Sequence, residues 1–197
     1  MQMPDFPIVD AGPLSRATGL RGYGTFLDVS EAVRALPYGR VRDPANALAA
    51  LEEQKGTCSS KHRFLAALAH ECGHTEVVLM LGLYEMCEAN TPGVGAVLGA
   101  EGLSTIPEAH CYLMCDGQRY DFTGLASGAA SLFDSLLEER SVSPNESAYT
   151  KAAYHRSVLF RWARTHGMDP DRAWAIREKC IELLANNTPR AAAWDTP

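Results

Sequence analysis

The sequence predicts a domain that mixes helices with strands, organised around a helix that opens on a cysteine. Three stretches carry this reading. Residues 56–72, GTCSSKHRFLAALAHEC, repeat apolar side chains at helical spacing. Residues 76–84, EVVLMLGLY, form a near-continuous apolar run containing β-branched residues, as a buried strand does. Residues 109–123, AHCYLMCDGQRYDFT, place Asp116-Gly117 between two short strand-like runs, a strong hairpin signal because a type I′ turn needs two positive φ angles.

At 197 residues, 46% hydrophobic and 21% charged, the chain is long enough to bury a core and has ordinary globular composition. The simplest organisation is one domain over 1–197, with a core at about 43–125 and a helical part at about 126–186. The formal charge of −6 comes without a Lys/Arg cluster, which argues against a nucleic-acid or membrane-surface partner, since both need concentrated basic side chains. The N-terminal MQMPDFPIVDAGPL carries prolines and acids where an export signal has a basic start and an apolar run, and no window reaches the apolar length of a membrane span. The expectation is a cytoplasmic protein whose six cysteines are reduced thiols.

In chain order, prolines 4, 7 and 13 and glycines 12, 19, 22 and 24 predict an irregular arm over 1–27. A short helix follows at 30–36, capped by Asp28 or Ser30 and stopped by Pro37. Asp43-Pro44 predicts a capped helix reaching about Glu53. The helix after Cys58 holds Leu65, Leu68, Ala69 and Cys72 on the face of Cys58, so the thiol points into packed protein, and Gly73 terminates it. The polar, Gly-rich residues 88–107 read as a long loop of the kind that serves as a lid or substrate-binding segment. A helix is expected around Leu132, Phe133, Leu136 and Leu137, then helices at 145–165 and from Asp169-Pro170, with a fraying tail from Asn186.

Cys58 in the first helical turn is the candidate nucleophile, because unpaired backbone N–H groups and the helix dipole favour a thiolate there. Counting out from the Asp116-Gly117 turn pairs Cys115 with Gln118 and sets His110 opposite Thr123, making Asp121 a diagonal neighbour of His110. Cys58, His110 and Asp121 then supply nucleophile, base and orienting carboxylate for acyl transfer. The backbone N–H of Cys58 is the first candidate oxyanion donor, with Gln54 or Tyr112 as the second.

GTCSSKH at a helix start, AHCY on a strand and YDFTG on the next resemble the transglutaminase-like superfamily, a stand-alone bacterial type within the papain-like thiol enzymes. The resemblance covers about 43–125 and follows the family's chain order of Cys, His, Asp. It implies an α+β fold with a transglutaminase-like core, in which the nucleophile helix packs on an antiparallel sheet, here with extra C-terminal helices. It also implies a peptidase, amidase or amine transferase acting through an acyl-enzyme on a peptide, protein or small amide substrate. Thr57 and Ser59 flank Cys58 where many relatives carry an aromatic residue, and Tyr112 and Phe122 replace other common neighbours of the His and Asp.

Less chemical readings stand beside these. Cys72, Cys87 and Cys180 read as core residues, and the Trp162/Trp174 stripe as core rather than a dimer face. Cys111 and Cys115 lie about 13 Å apart on an extended strand, too far to share a metal. His70 and His74 have a ligand spacing, but Gly73 breaks the helix between them, so no metal and no cofactor is expected. His62, four residues after Cys58, is the rival base. A catalytically inactive relative that binds a peptide or a partner protein is the alternative function. The sequence sets no oligomeric state.

Overall fold

The computed structural model describes residues 3–126, 128–145 and 148–187. Its described part is α+β, with seven α-helices and a four-stranded antiparallel sheet. The elements run α1 (Pro13–Gly19), α2 (Phe26–Ala35), α3 (Ala49–Glu52), α4 (Cys58–Glu71), β1 (Val78–Met86), α5 (Gly95–Ala100), β2 (Ile106–Cys115), β3 (Gln118–Tyr120), a 3-10 turn (Leu132–Ser135), β4 (Leu136–Ser141), α6 (Ala148–Thr165) and α7 (Pro170–Asn187). The strand order is β3-β2-β1-β4. Helix α4 packs on β2 and β1, and α6 lies against β2 and α7. No described helix is long and apolar enough to cross a membrane.

Apolar side chains form two clusters. Phe64, Leu65, Leu68 and Ala69 of α4 meet Val29 and Val33 of α2 and Leu81, Ala109, Cys111 and Leu113 of the sheet. Ile176, Cys180, Ile181 and Leu184 of α7 meet Leu159, Ala163, Leu98, Tyr84 and Ile106. This second cluster roofs the sheet beside the cysteine.

The cysteine helix and the hairpin have the expected form. Thr57 precedes α4, its N–H bonded to Ser60 Oγ at 3.0 Å, and Gly73 follows the helix at φ 91°. The β2–β3 hairpin pairs Cys115 with Gln118 across Asp116 and Gly117, whose φ angles are 49° and 73°. Pairing stops at Tyr120, so Thr123 is not laddered opposite His110. Helix α7 starts after Asp169, whose Oδ1 accepts the Arg172 N–H at 2.8 Å.

Several other expectations are corrected. The N-terminal arm contains α1, because the Glu71 carboxylate at the far end of α4 accepts its first-turn N–H groups, Leu14 at 3.2 Å and Ser15 at 2.6 Å. Helix α2 starts at Phe26 with Thr25 as its cap, so Asp28 and Ser30 lie inside it. Asp43 closes a local turn on Ala45 N–H at 2.9 Å instead of capping a helix, and α3 starts only at Ala49. Strand β1 lies two residues later than the apolar run. Helix α5 interrupts the expected loop, its entry fixed by Glu88, whose carboxylate accepts N–H groups of Gly93 and Gly95.

Leu136 and Leu137 lie in strand β4, not in a helix. Their segment pairs along β1, and its Glu139 lies opposite Gly82. That glycine leaves room for Tyr112 to reach across the sheet to Glu139: a Cβ at Gly82 would stand 3.1 Å from the Tyr112 ring and 2.7 Å from Leu136. Asn145 lies in a turn and not in the helix, the described part of α6 starts at Ala148, and α7 continues through Asn187; residues 146–147 and the remaining tail lie outside the described residues.

Gly124 carries the sharpest backbone demand. It sits at φ 77°, and a Cβ there would lie 2.0 Å from Arg34 O, where α2 passes the segment leaving β3. Gly124→Ala is expected to destabilise the protein by about 2–4 kcal/mol through left-handed strain and overpacking, read by denaturant unfolding. Gly99→Ala, with open space around its Cβ inside α5, is the control and stays neutral or gains up to about 1 kcal/mol.

Candidate active site

Cys58 begins α4 and is 6% exposed, in the wall of a cavity of about 340 Å³. Cys111 and Ala109 of β2 contribute to that wall, as do Lys151 and His155 of α6 and Trp174 and Arg177 of α7. Burial alone would push the Cys58 thiol up. The Lys151 ammonium, the His110 imidazolium and the Cys111 N–H outweigh it and bring the thiol down to about 6. Lys151 Nζ donates to Cys58 Sγ at 3.7 Å and also to Ser59 Oγ.

His110 is equally buried, and its Nε2 lies 2.9 Å from Asp121 Oδ2. Burial opposes its protonation, but the Asp121 carboxylate and the Cys58 thiolate raise its pKa well above the ordinary histidine value. The His110 imidazolium and the Cys58 thiolate stabilise each other by charge, and with Nε2 held by Asp121 the ring nitrogen left to exchange a proton is Nδ1. Asp121 Oδ1 accepts from the N–H and hydroxyl of Thr123, the former at 2.8 Å. Its own burial would raise it, but the imidazolium, with those donors, holds it far below the usual carboxylate range.

Two consecutive residues of α4 tie this arrangement together. His62 is fully buried; its Nδ1–H donates to Cys58 O at 2.8 Å and its Nε2 accepts the Phe122 N–H at 2.7 Å. Both ring nitrogens are thereby committed, the tautomer is fixed, and desolvation lowers its pKa to about 4. The rival base is therefore a neutral strut between the cysteine turn and the Asp121 segment. Lys61, also fully buried, donates to the carbonyls of Leu36 at 2.6 Å, Thr123 at 2.7 Å and Arg34 at 3.3 Å, with burial lowering its pKa to about 8.

The remaining sequence candidates stand apart from the thiol. The Tyr112 hydroxyl donates to Glu139, which also binds Arg119. Gln54 follows α3 in left-handed backbone at φ 51° and is not among the residues lining the cavity. Lys151 was not foreseen, and nothing local marks it: it lies ninety-three positions after Cys58 and is brought there by α6 packing on β2. Lys61 was legible in principle, because a lysine three residues after Cys58 falls on the apolar stripe.

In the same cavity wall, Glu108 is buried and paired with Arg177 through two bonds of 2.5 Å, and His155 Nε2 lies 3.1 Å from Pro107 O. His70 binds Val77 O at 3.0 Å, and His74 binds Glu76 at 2.8 Å while stacking on Phe6. The described residues contain no group of three or more His, Cys, Asp or Glu placed to hold a metal. The six cysteines are free thiols; Cys180 is buried, whereas Cys72 and Cys87 are partly exposed. In comparisons with protein-family models, curated proteins and solved structures, nothing matches this chain.

The neutral state of His62 makes stability depend on pH. In the unfolded chain its imidazole takes up a proton near 6.5, whereas the folded one does so only at about 4. Between those values the unfolded state holds more protons, so this contribution is present above 6.5 and is lost as the pH falls toward 4. His62→Gln is expected to lower stability by about 1–3 kcal/mol at neutral pH. Denaturant midpoints of that variant should fall less steeply than wild type over the same pH window.

Proposed function

We propose that the chain is a cysteine-dependent acyl-transfer enzyme of transglutaminase-like type, acting on an amide or peptide bond through an acyl-enzyme. The observation that carries this reading is a buried cysteine at a helix start, set between His110, held by Asp121, and Lys151, in the wall of a cavity. A structural cysteine needs none of these charges. Burial without such charges pushes a thiol up, as burial, aided by the Glu108 carboxylate, pushes Cys180 up to about 11.

The chemistry follows from the protonation states. The Cys58 thiolate adds to the carbonyl carbon, and the carbonyl electron pair moves onto oxygen. As the C–N bond breaks, the His110 imidazolium gives its Nδ1 proton to the departing amine, leaving a thioester on Cys58 and a neutral imidazole. His110 then removes a proton from water or an amine. That nucleophile adds to the thioester carbon, and the C–S bond breaks to regenerate the thiolate. Asp121 holds the ring through Nε2 and stabilises each imidazolium state.

The first test is reactivity. Iodoacetamide at mildly acidic pH is expected to alkylate Cys58 ahead of Cys72, although Cys72 is the more exposed thiol, because burial and Glu71 push Cys72 up. His110→Ala should slow Cys58 labelling at pH 6 by at least about fivefold, the loss of thiolate when a thiol pKa of about 6 rises by one unit. The second test is a panel of peptide amides, esters and thioesters read by intact mass. A covalent acyl adduct that disappears in Cys58→Ala supports the reading; faster labelling of Cys72 and no adduct with any donor would favour a binding domain instead.

A further inference from the structure

We propose that Lys151 is a catalytic residue of this site, the second oxyanion donor, whose ammonium group together with the backbone N–H of Cys58 stabilises the negative oxygen formed when the thiolate adds to a carbonyl. The inference rests on the acyl-transfer reading above, in which Lys151 is only a charge beside the thiol, and gives that residue a direct role on the reacting oxygen.

Position is the first argument. Lys151 Nζ touches Cys58 Sγ at 3.7 Å and lines the same cavity. By covalent geometry, an oxygen on the carbon bonded to Sγ lies within about 3 Å of the sulfur, so a donor on the cavity side of Sγ can approach it at about 2.7–3.1 Å. The contact also strengthens as the reaction proceeds. A long N–H···S contact to a diffuse thiolate becomes a short charge-assisted bond to a localised oxyanion, which is the difference that lowers a barrier.

Charge bookkeeping around the cavity is the second argument. Arg177 is matched by Glu108 and Glu178, and Arg40 by Glu178. Arg63 is spent on the carbonyls of Pro44, Ala45 and Pro144. Among the described residues, no carboxylate lies within 4.0 Å of Lys151 Nζ, whose partners are the Cys58 sulfur and the Ser59 hydroxyl. In the free enzyme the thiolate is its counter-ion. In the tetrahedral adduct that charge resides on oxygen, and a half-buried cation held by Ser59 stays matched only by following it.

Exclusion of the alternatives is the third. Tyr112 is bound to Glu139 across the sheet, and Gln54 is off the cavity. Lys151 is not itself the amine that resolves the thioester, since against the opposing effect of burial the Cys58 thiolate and the Glu108 carboxylate favour its protonated form.

The test separates an oxyanion donor from a residue that merely lowers the thiol pKa. Rates are measured at a pH high enough to saturate the thiolate in every variant. Alkylation by iodoacetamide builds no oxyanion; acylation by p-nitrophenyl acetate, followed as a p-nitrophenolate burst, does. Lys151→Met is expected to slow the burst by about 10²-fold while alkylation of Cys58 stays within about threefold. Lys151→Arg, which keeps a cationic donor, should recover most of the burst. Lys151→Ala replaces the Met variant if the latter does not give the wild-type circular dichroism. Equal losses in burst and alkylation, or an unchanged burst, overturn the proposal while leaving acyl transfer intact. A wild-type burst no greater than that of Cys58→Ala overturns both.

Discussion

The constraint on which the site depends is the attachment of α4 to the segment leaving β3, made from inside the core by Lys61 and His62. A hairpin strand only three residues long would not by itself fix where residues 121–124 go. Two buried polar side chains, one turn along from Cys58, do so by engaging the backbone of Phe122 and Thr123. Left without partners, each would incur a desolvation penalty of about 1–3 kcal/mol or more, so only the arrangement satisfying both is stable. Gly124 completes the lock, because a side chain there would collide with the α2 backbone that Lys61 also grips.

Given that lock, the electrostatics follow. Asp121 comes within bonding distance of His110 on the neighbouring strand, and Thr123 turns back to occupy its other oxygen. The Asp121 carboxylate and the Cys58 thiolate then both favour the protonated His110 ring. Helix α6 supplies a second cation beside Cys58, anchored by the serine next to the nucleophile. Burial works against every charge in this set, and each is retained because the others are close. Removing any one member therefore changes the protonation of its neighbours, and single substitutions will be non-additive.

The sequence made the chemically central parts legible because they rest on local signals. A cysteine after a Gly-Thr at a helix start and an Asp-Gly turn are short-range features, and the turn's register carries the chain as far as Tyr120, beside Asp121, whose final placement against His110 depends on the bonds that Lys61 and His62 make to the next two residues. What escaped was decided at long range. Helix α1 is capped by Glu71, fifty-six residues from Ser15, and residues 136–141 become a strand because β1 offers an unpaired edge and Gly82 lets Tyr112 reach Glu139. His62 was visible as a neighbour of Cys58, but only the Phe122 N–H reveals why it remains neutral. Lys151 had no signal at all, since the packing of α6 on the sheet places it.

The central claim is that Cys58 rests as a thiolate against the His110 imidazolium. Titrating the ultraviolet absorbance of the thiolate, as the difference between wild type and Cys58→Ser, measures this directly. The account predicts a midpoint at about 6. A midpoint at or above about 8.5, the value of an ordinary cysteine, would contradict it.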